Sequence, residues 1–125
     1  MRTVVVGAVL VVLAAAAVSA QTITTRPYWV VDPAVYATAG SVHTHVQVTG
    51  WVAYTRWEDD GDLHIKLVPT RGAYSPFLIA ECIPRLPCAR PVLDARITVR
   101  GISRTDPEHN GWKEIHPVES WVAAP

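Results

Sequence analysis

The stretch Val42-His43-Thr44-His45-Val46-Gln47-Val48-Thr49 alternates with a period of two. That period belongs to a strand with Val42, Val46 and Val48 facing inward and His43, His45 and Gln47 facing outward. Gly50 interrupts, and Trp51 to Trp57 continues as extended chain. A glycine inside a strand marks a bulge or sharp bend, which a small closed sheet needs in order to curl. No window beyond residue 20 sustains a 3.6-residue apolar period, and the ten prolines are spread along that part of the chain.

Further strands follow the same logic. Leu63, Ile65 and Leu67 form one inner face, with His64 and Lys66 opposite, after an acidic turn at Glu58-Asp59-Asp60-Gly61-Asp62. Residues 77–82, 95–104 (broken by Gly101) and 112–122 are the remaining strands. Val46-Gln47-Val48-Thr49-Gly50-Trp51-Val52 and Ile97-Thr98-Val99-Arg100-Gly101-Ile102 echo each other as kinked strands. Five strands, a long kinked first strand and a three-strand meander predict an all-β chain. The expected form is a small five-stranded Greek-key barrel of the oligonucleotide/oligosaccharide-binding (OB) kind, with a small β-sandwich as the alternative. The usual helix between the third and fourth strands has no room beyond the cysteine loop.

The N-terminus reads as an address. Arg2 is the only charged residue among the first 20, Val4 to Val18 is almost unbroken Val, Leu and Ala, and Val18-Ser19-Ala20 supplies a small-residue cleavage site before Gln21. This is the order of a Sec signal peptide, and the apolar run is short for a membrane span of about 20 residues. The expected organisation is therefore a signal peptide over 1–20, an extended arm over 21–41 and a barrel domain over 42–125. The expected location is periplasmic or extracellular, with no stable membrane span after cleavage. Cys82 and Cys88 are the only cysteines. An even count in an exported chain points to a disulfide, worth about 2 kcal/mol across so short a loop. The spacing is not that of a C-x-x-C redox motif. Eleven Lys and Arg balance eleven Asp and Glu. Losing Arg2 leaves one negative charge in excess, without the basic surplus of a dedicated nucleic-acid binder.

Asp60-Gly61-Asp62-Leu63-His64-Ile65, Ile79-Ala80-Glu81 and Asn110-Gly111-Trp112-Lys113-Glu114-Ile115-His116-Pro117-Val118 resemble a set of small exported bacterial proteins with an OB-like β-barrel. The resemblance covers roughly residues 42–122, and the His-Pro-Val ending is its most specific part. It implies a fold and an exported location and supplies no activity.

Candidate sites follow from strand pairing. A hairpin across the 70–75 turn sets His64 opposite Glu81 and Lys66 opposite Ile79. The last strand, beside the third in an OB barrel, brings His116 to the same outer side. Two imidazoles and a carboxylate can hold zinc with a position open for water; the structural alternative is a cross-strand His64–Glu81 pair braced by His116. His43 and His45 offer a weaker chelating pair. The run Glu58, Asp59, Asp60, Asp62 lacks the twelve-residue calcium-loop pattern and reads as a solvated turn. Trp51, Tyr54, Trp57, Trp112 and Trp121, beside Arg56, Lys66, Arg96 and Arg100, can stack on bases or sugar rings; the structural alternative is that a small barrel uses them as core and rim packing. Strict alternation puts Trp51 and Trp57 on one face and Tyr54 and Arg56 on the other.

No nucleophile motif or phosphate-cradling glycine loop is present. The preferred expectation is a non-enzymatic binding module for an oligonucleotide, a glycan or an envelope protein, with nucleic acid a possible partner. The ligand-binding residues are Trp51, Tyr54, Arg56, Trp57, Lys66, Arg100 and Trp112. No cofactor is expected, zinc on His64, Glu81 and His116 being the one candidate. A metal-dependent hydrolase or nuclease using that cluster, and a purely structural envelope component, are the alternatives.

Overall fold

The computed structural model describes residues 27–125. The signal peptide expected over 1–20, and the first six residues of the expected arm, lie outside the described residues. The elements are β1 (Trp29–Val31), α1 (Pro33–Ala39), β2 (His45–Trp57), β3 (Leu63–Val68), β4 (Leu78–Cys82), β5 (Arg96–Asp106) and β6 (Trp112–Ala123), with a 3-10 turn over Pro107–His109 between the last two.

Strand β2 closes the barrel. Along one edge it pairs with β5 from His45 to Trp51, and along the other with β3 from Trp51 to Trp57. The closed order is β2, β3, β4, β6, β5 and back to β2, with β4–β6 the parallel pair and the other four junctions antiparallel. The expected OB-like barrel of five strands is the observed fold. Val46, Val48, Val52, Leu63, Ile65, Leu67, Leu78, Ala80, Ile97, Val99 and Ile115 fill its interior, all fully buried. These are apolar residues at alternate strand positions, the set that a period of two dictates.

Two details of β2 differ from strict alternation. Val42 is 98% exposed, because the chain bends over residues 42–44 and β2 starts only at His45. Gly50 does not break the strand; the register shifts between Val52 and Tyr54. Ala53 is the extra residue, so the sides exchange beyond it. Trp51 therefore shares the outer face with Tyr54 and Arg56, and Trp57 follows the opposite face, that of buried Thr55, where it runs out at the strand end, 55% exposed.

The arm is also more structured than its prolines indicate. Over 27–41 it forms β1, parallel to Val46–Val48, and then the seven-residue helix α1. Asp32 caps the helix by accepting from Ala34 N at 2.9 Å and Val35 N at 3.2 Å. Pro33 sits where a missing N–H costs nothing, and Gly40 ends the helix at φ +68°. Two turns are too few to show a period, so only the caps could betray this helix. Tyr36 is its anchor: it is fully buried in the core, and its hydroxyl donates to the Glu114 carbonyl and contacts Ser103 Oγ at 3.0 Å.

Cys82 and Cys88 are bonded, with Cα atoms 5.9 Å apart. Arg90, just beyond, ties the loop to β2 through Thr55 Oγ1 at 2.7 Å, and Trp121 Nε1 donates to the Ala89 carbonyl at 2.9 Å. No helix of the described residues is long and apolar enough to cross a membrane.

Closure demands glycine at one position. A Cβ on Gly101 would stand 2.4 Å from the Pro117 carbonyl oxygen, 2.6 Å from Ile115 Cγ2 and 3.1 Å from Val118 Cα. Two of those atoms are backbone, so β5 and β6 must separate to admit it. Gly101→Ala is expected to cost about 3 kcal/mol, at the upper end of overpacking penalties, lowering the melting midpoint by roughly 10 °C or more. Gly72→Ala, in open space at φ +77°, is expected to cost only about 1–2 kcal/mol. Equal midpoints for the two variants would contradict the close β5–β6 approach.

Candidate functional site

A groove of about 990 Å³ runs across the outside of the barrel. Outward residues of all five barrel strands line it: Tyr54 and Arg56 of β2, His64 and Lys66 of β3, Ile79 and Glu81 of β4, Arg104 and Asp106 of β5, and Trp112 and His116 of β6. The 58–62 turn, the 72–77 loop and the 3-10 turn wall it in. The turn joining the first two barrel strands and the one joining the last two are the loops that OB barrels use around a bound oligomer.

The expected register is present. His64 lies opposite Glu81 and Lys66 opposite Ile79, and the parallel β4–β6 pair carries His116 to the same side. His64 Nε2 contacts Glu81 Oε1 at 2.8 Å, and His64 Nδ1 lies 3.3 Å from Glu58 Oε1. Both ring nitrogens thus face carboxylates. The hydrogen bond to Glu81 raises the His64 pKa. Burial pushes Glu81 upward, but the His64 hydrogen bond and the charges of His64 and Arg104 outweigh it and hold Glu81 below its ordinary value. His116 Nε2 stands 3.4 Å from Glu81 Oε2 and 3.9 Å from Asp62 Oδ2. Arg104 Nη1 reaches His116 Nδ1 at 2.5 Å. Arginine only donates, so that contact makes Nδ1 the acceptor and puts the ring proton on Nε2, aimed at the carboxylates. Asp62, which the strand argument left in a solvated turn, joins Glu81 and His116: one ligand atom from each lies within 4.8 Å of the others. Burial, then Asp60 and Glu81, raise the Asp62 pKa.

A second cluster lies beyond Arg104, made of residues that were not among the expected ligands. Asp106, His109 and Glu114 also bring ligand atoms within 4.8 Å of one another. His109 Nδ1 meets Asp106 Oδ2 at 2.5 Å and holds Asp106 down at about 2. Glu114 is pushed up to about 7, first by burial and then by the charges of Glu81 and Asp106. Its register opposite Arg104 was readable as an outward position next to inward Ile115, yet it is 1% exposed.

Aromatic rings also line the groove. Lys66 Nζ sits 3.7 Å from the Tyr74 ring centre and 4.3 Å from that of Phe77. Phe77 meets Trp112 edge-on at 5.5 Å, and Trp112 stacks on His109 at 4.6 Å. Of the expected ligand-binding residues, Tyr54, Arg56, Lys66 and Trp112 are in the groove, and Trp51, Trp57 and Arg100 are not. Trp51 lies under the Arg71 guanidinium at 5.4 Å, in a separate cleft with Arg96. Arg100 donates to Gln47 Oε1 at 2.7 Å and covers Tyr28. The bulge at Ala53 turns Trp57 to the opposite face, and Trp51 and Arg100 lie where β2 pairs with β5, away from the groove. His43 stacks on Trp29 at 3.9 Å while His45 lies 4.0 Å from Glu119, so the two do not converge. The acidic run closes as a turn, with Glu58 N donating to the Asp62 carbonyl and Asp62 N to Asp60 Oδ1.

The His64–Glu81 pair predicts a pH signature. Glu81 contributes stability above its ordinary 4.5 and loses it as pH falls through its lowered folded value. His64 contributes below its ordinary 6.5 and loses it as pH rises through its raised folded value. The melting-temperature gap between the wild type and His64→Gln is therefore expected to be widest between pH 4.5 and 6.5. Melts from about pH 4 to about pH 9 check this; a gap that stays constant on the alkaline side would mean His64 is not charged in the fold.

No protein-family model matches the sequence, and no curated protein matches it. Solved structures do match. An asparaginyl-tRNA synthetase (AsnRS) of Entamoeba histolytica aligns over 81% of this chain with a TM-score of 0.56 at 14% identity. This chain spans 25% of the length of that one. At that identity the likeness is one of fold, and it agrees with the strand order: the chain is an all-β protein built as an OB-like barrel.

Proposed function

We propose that this protein is an exported binding module that takes an extended, uncharged oligomer, a glycan strand, in the groove. The observation that carries this is the presence of aromatic rings and carboxylates together in one groove. Seven acidic residues line it (Glu58, Asp59, Asp60, Asp62, Glu81, Asp106, Glu108) against three Lys and Arg (Arg56, Lys66, Arg104) and three histidines (His64, His109, His116). The name of the synthetase neighbour raises a nucleic-acid reading, but a phosphate backbone entering this groove meets a surplus of its own sign. Sugar rings have no such penalty. Their apolar faces stack on Tyr54, Tyr74 and Trp112, and their hydroxyls donate to carboxylates and accept from Arg56 and Lys66. The disulfide is compatible with an oxidising, exported location, in keeping with the signal-peptide pattern of residues 1–20.

Titration of residues 21–125 with chitohexaose, cellohexaose and an oligothymidylate tests the proposal. Binding of a hexaose is expected, and Tyr54→Ala or Tyr74→Ala is expected to weaken it about tenfold, the order of one stacking contact. Both rings are exposed, at 40% and 81%, so their loss leaves the core intact. Oligothymidylate binding that falls steeply with salt, with neither hexaose bound, overturns the glycan reading, as does failure to bind any of the three.

A further inference from the structure

Buried charge in this barrel is matched group by group, with one exception. Glu81 has His64 and His116; Asp106 has His109. Glu114 is 1% exposed, yet neither of its carboxylate oxygens accepts a hydrogen bond among the described residues. The nearest cation, Arg104 Nε, stands 3.6 Å from Oε2, and the same guanidinium is shared with His116 and Asp106. Burying a carboxylate without hydrogen bonds costs several kcal/mol, so a native fold that keeps one there needs a reason for it. Its neighbours supply one, because an oxygen of Glu114 lies within 4.8 Å of ligand atoms of both Asp106 and His109.

We propose that Asp106, His109 and Glu114 form a binding site for a divalent first-row transition cation, zinc foremost, set in the wall of the groove. The donor set is one imidazole nitrogen and two carboxylates, which suits zinc and its neighbours; calcium and magnesium prefer oxygen alone. The ion takes the place of the proton held between Asp106 Oδ2 and His109 Nδ1, and that proton is released to solvent on binding. His109 sits on the 3-10 turn and is half exposed, so it can move back to admit the ion and leave a coordination position open to the groove. Asp106 Oδ1 already accepts from Glu108 N at 2.8 Å, which orients the other oxygen toward the site. The Asp62–Glu81–His116 cluster is the weaker host. There Glu81 is engaged by His64, and His116 presents a protonated Nε2 while Arg104 donates to its Nδ1. The site is independent of what the groove binds, so its test needs no groove ligand.

Residues 21–125, stripped with a chelator, are titrated with zinc chloride by calorimetry at neutral pH. One zinc per chain is expected, with a melting midpoint raised by roughly 10 °C at a hundredfold excess over Kd. His109→Ala and Glu114→Gln are each expected to weaken zinc at least about tenfold, and Asp62→Asn to leave it within about threefold. His109 is on an exposed turn, so that variant keeps the test decisive if Glu114→Gln does not fold. Cobalt in place of zinc is expected to show a visible absorption band that disappears in His109→Ala. Failure of zinc, cobalt and manganese to bind overturns the proposal. So does zinc binding that survives His109→Ala and is lost in Asp62→Asn.

Discussion

Closure of the barrel rests on bends in two of its strands, β2 and β5. β2 pairs with β5 and β3 along its length, and β5 pairs with β2 and β6. A sheet of only five strands closes only if its strands bend strongly, and here the bends are local. β2 turns at the extra residue Ala53, and β5 shifts register on both sides of Gly101. At Gly101 the carbonyl of Pro117 lies where a side chain would be, which ties the His116-Pro117-Val118 segment directly to closure. The core then forms as a consequence: alternate residues of five strands face one another, with Tyr36 of α1 and the Cys82–Cys88 bond among them.

The outer surface is arranged by the same constraint. Because β4 lies between β3 and β6, Glu81 has an imidazole on each side. Because β5 pairs with β6, Arg104 reaches His116, Glu114 and Asp106 together. One guanidinium cannot neutralise every carboxylate around it in a partly buried setting. The imbalance collects on Glu114, whose pKa is raised to about 7 by burial and by Glu81 and Asp106. Groups whose pKa values are driven apart by neighbouring environments mark sites where protons or cations are handled, and here Asp106 at about 2 and Glu114 at about 7 belong to one cluster. The Tyr74–Lys66–Phe77–Trp112–His109 contacts run from the 72–77 loop to the same cluster. The groove therefore offers both flat apolar faces and acceptors.

How much of this was legible depends on how local each feature is. The His64–Glu81 and Lys66–Ile79 pairs could be read from the chain because a hairpin register is set by the turn and by the inward positions of Leu63, Ile65 and Leu67. His116 could be added because it follows inward-facing Ile115. Asp62, Asp106 and His109 could not, since they lie in or beside turns whose side chains have no period. Tyr54, Arg56 and Trp57 were placed on the wrong faces relative to Trp51 because a bulge is one residue with no compositional mark, and it exchanges the faces of everything beyond it. Helix α1 was missed for a related reason: its Asp32-Pro33 start and Gly40 end are signals of a helix too short to repeat.

The sequence by itself determined the all-β class, the five barrel strands, most of the core and the disulfide, because each follows from alternation, turn chemistry or the presence of only two cysteines. Only the tertiary structure decided which outward side chains share a groove, that the groove holds carboxylates and aromatic rings together, and that neither buried oxygen of Glu114 accepts a hydrogen bond. Those facts depend on three connecting segments folding over the outside of the sheet and on a one-residue shift in β2. Contacts made across a closed barrel join residues far apart in the chain, and no periodicity along the chain records them.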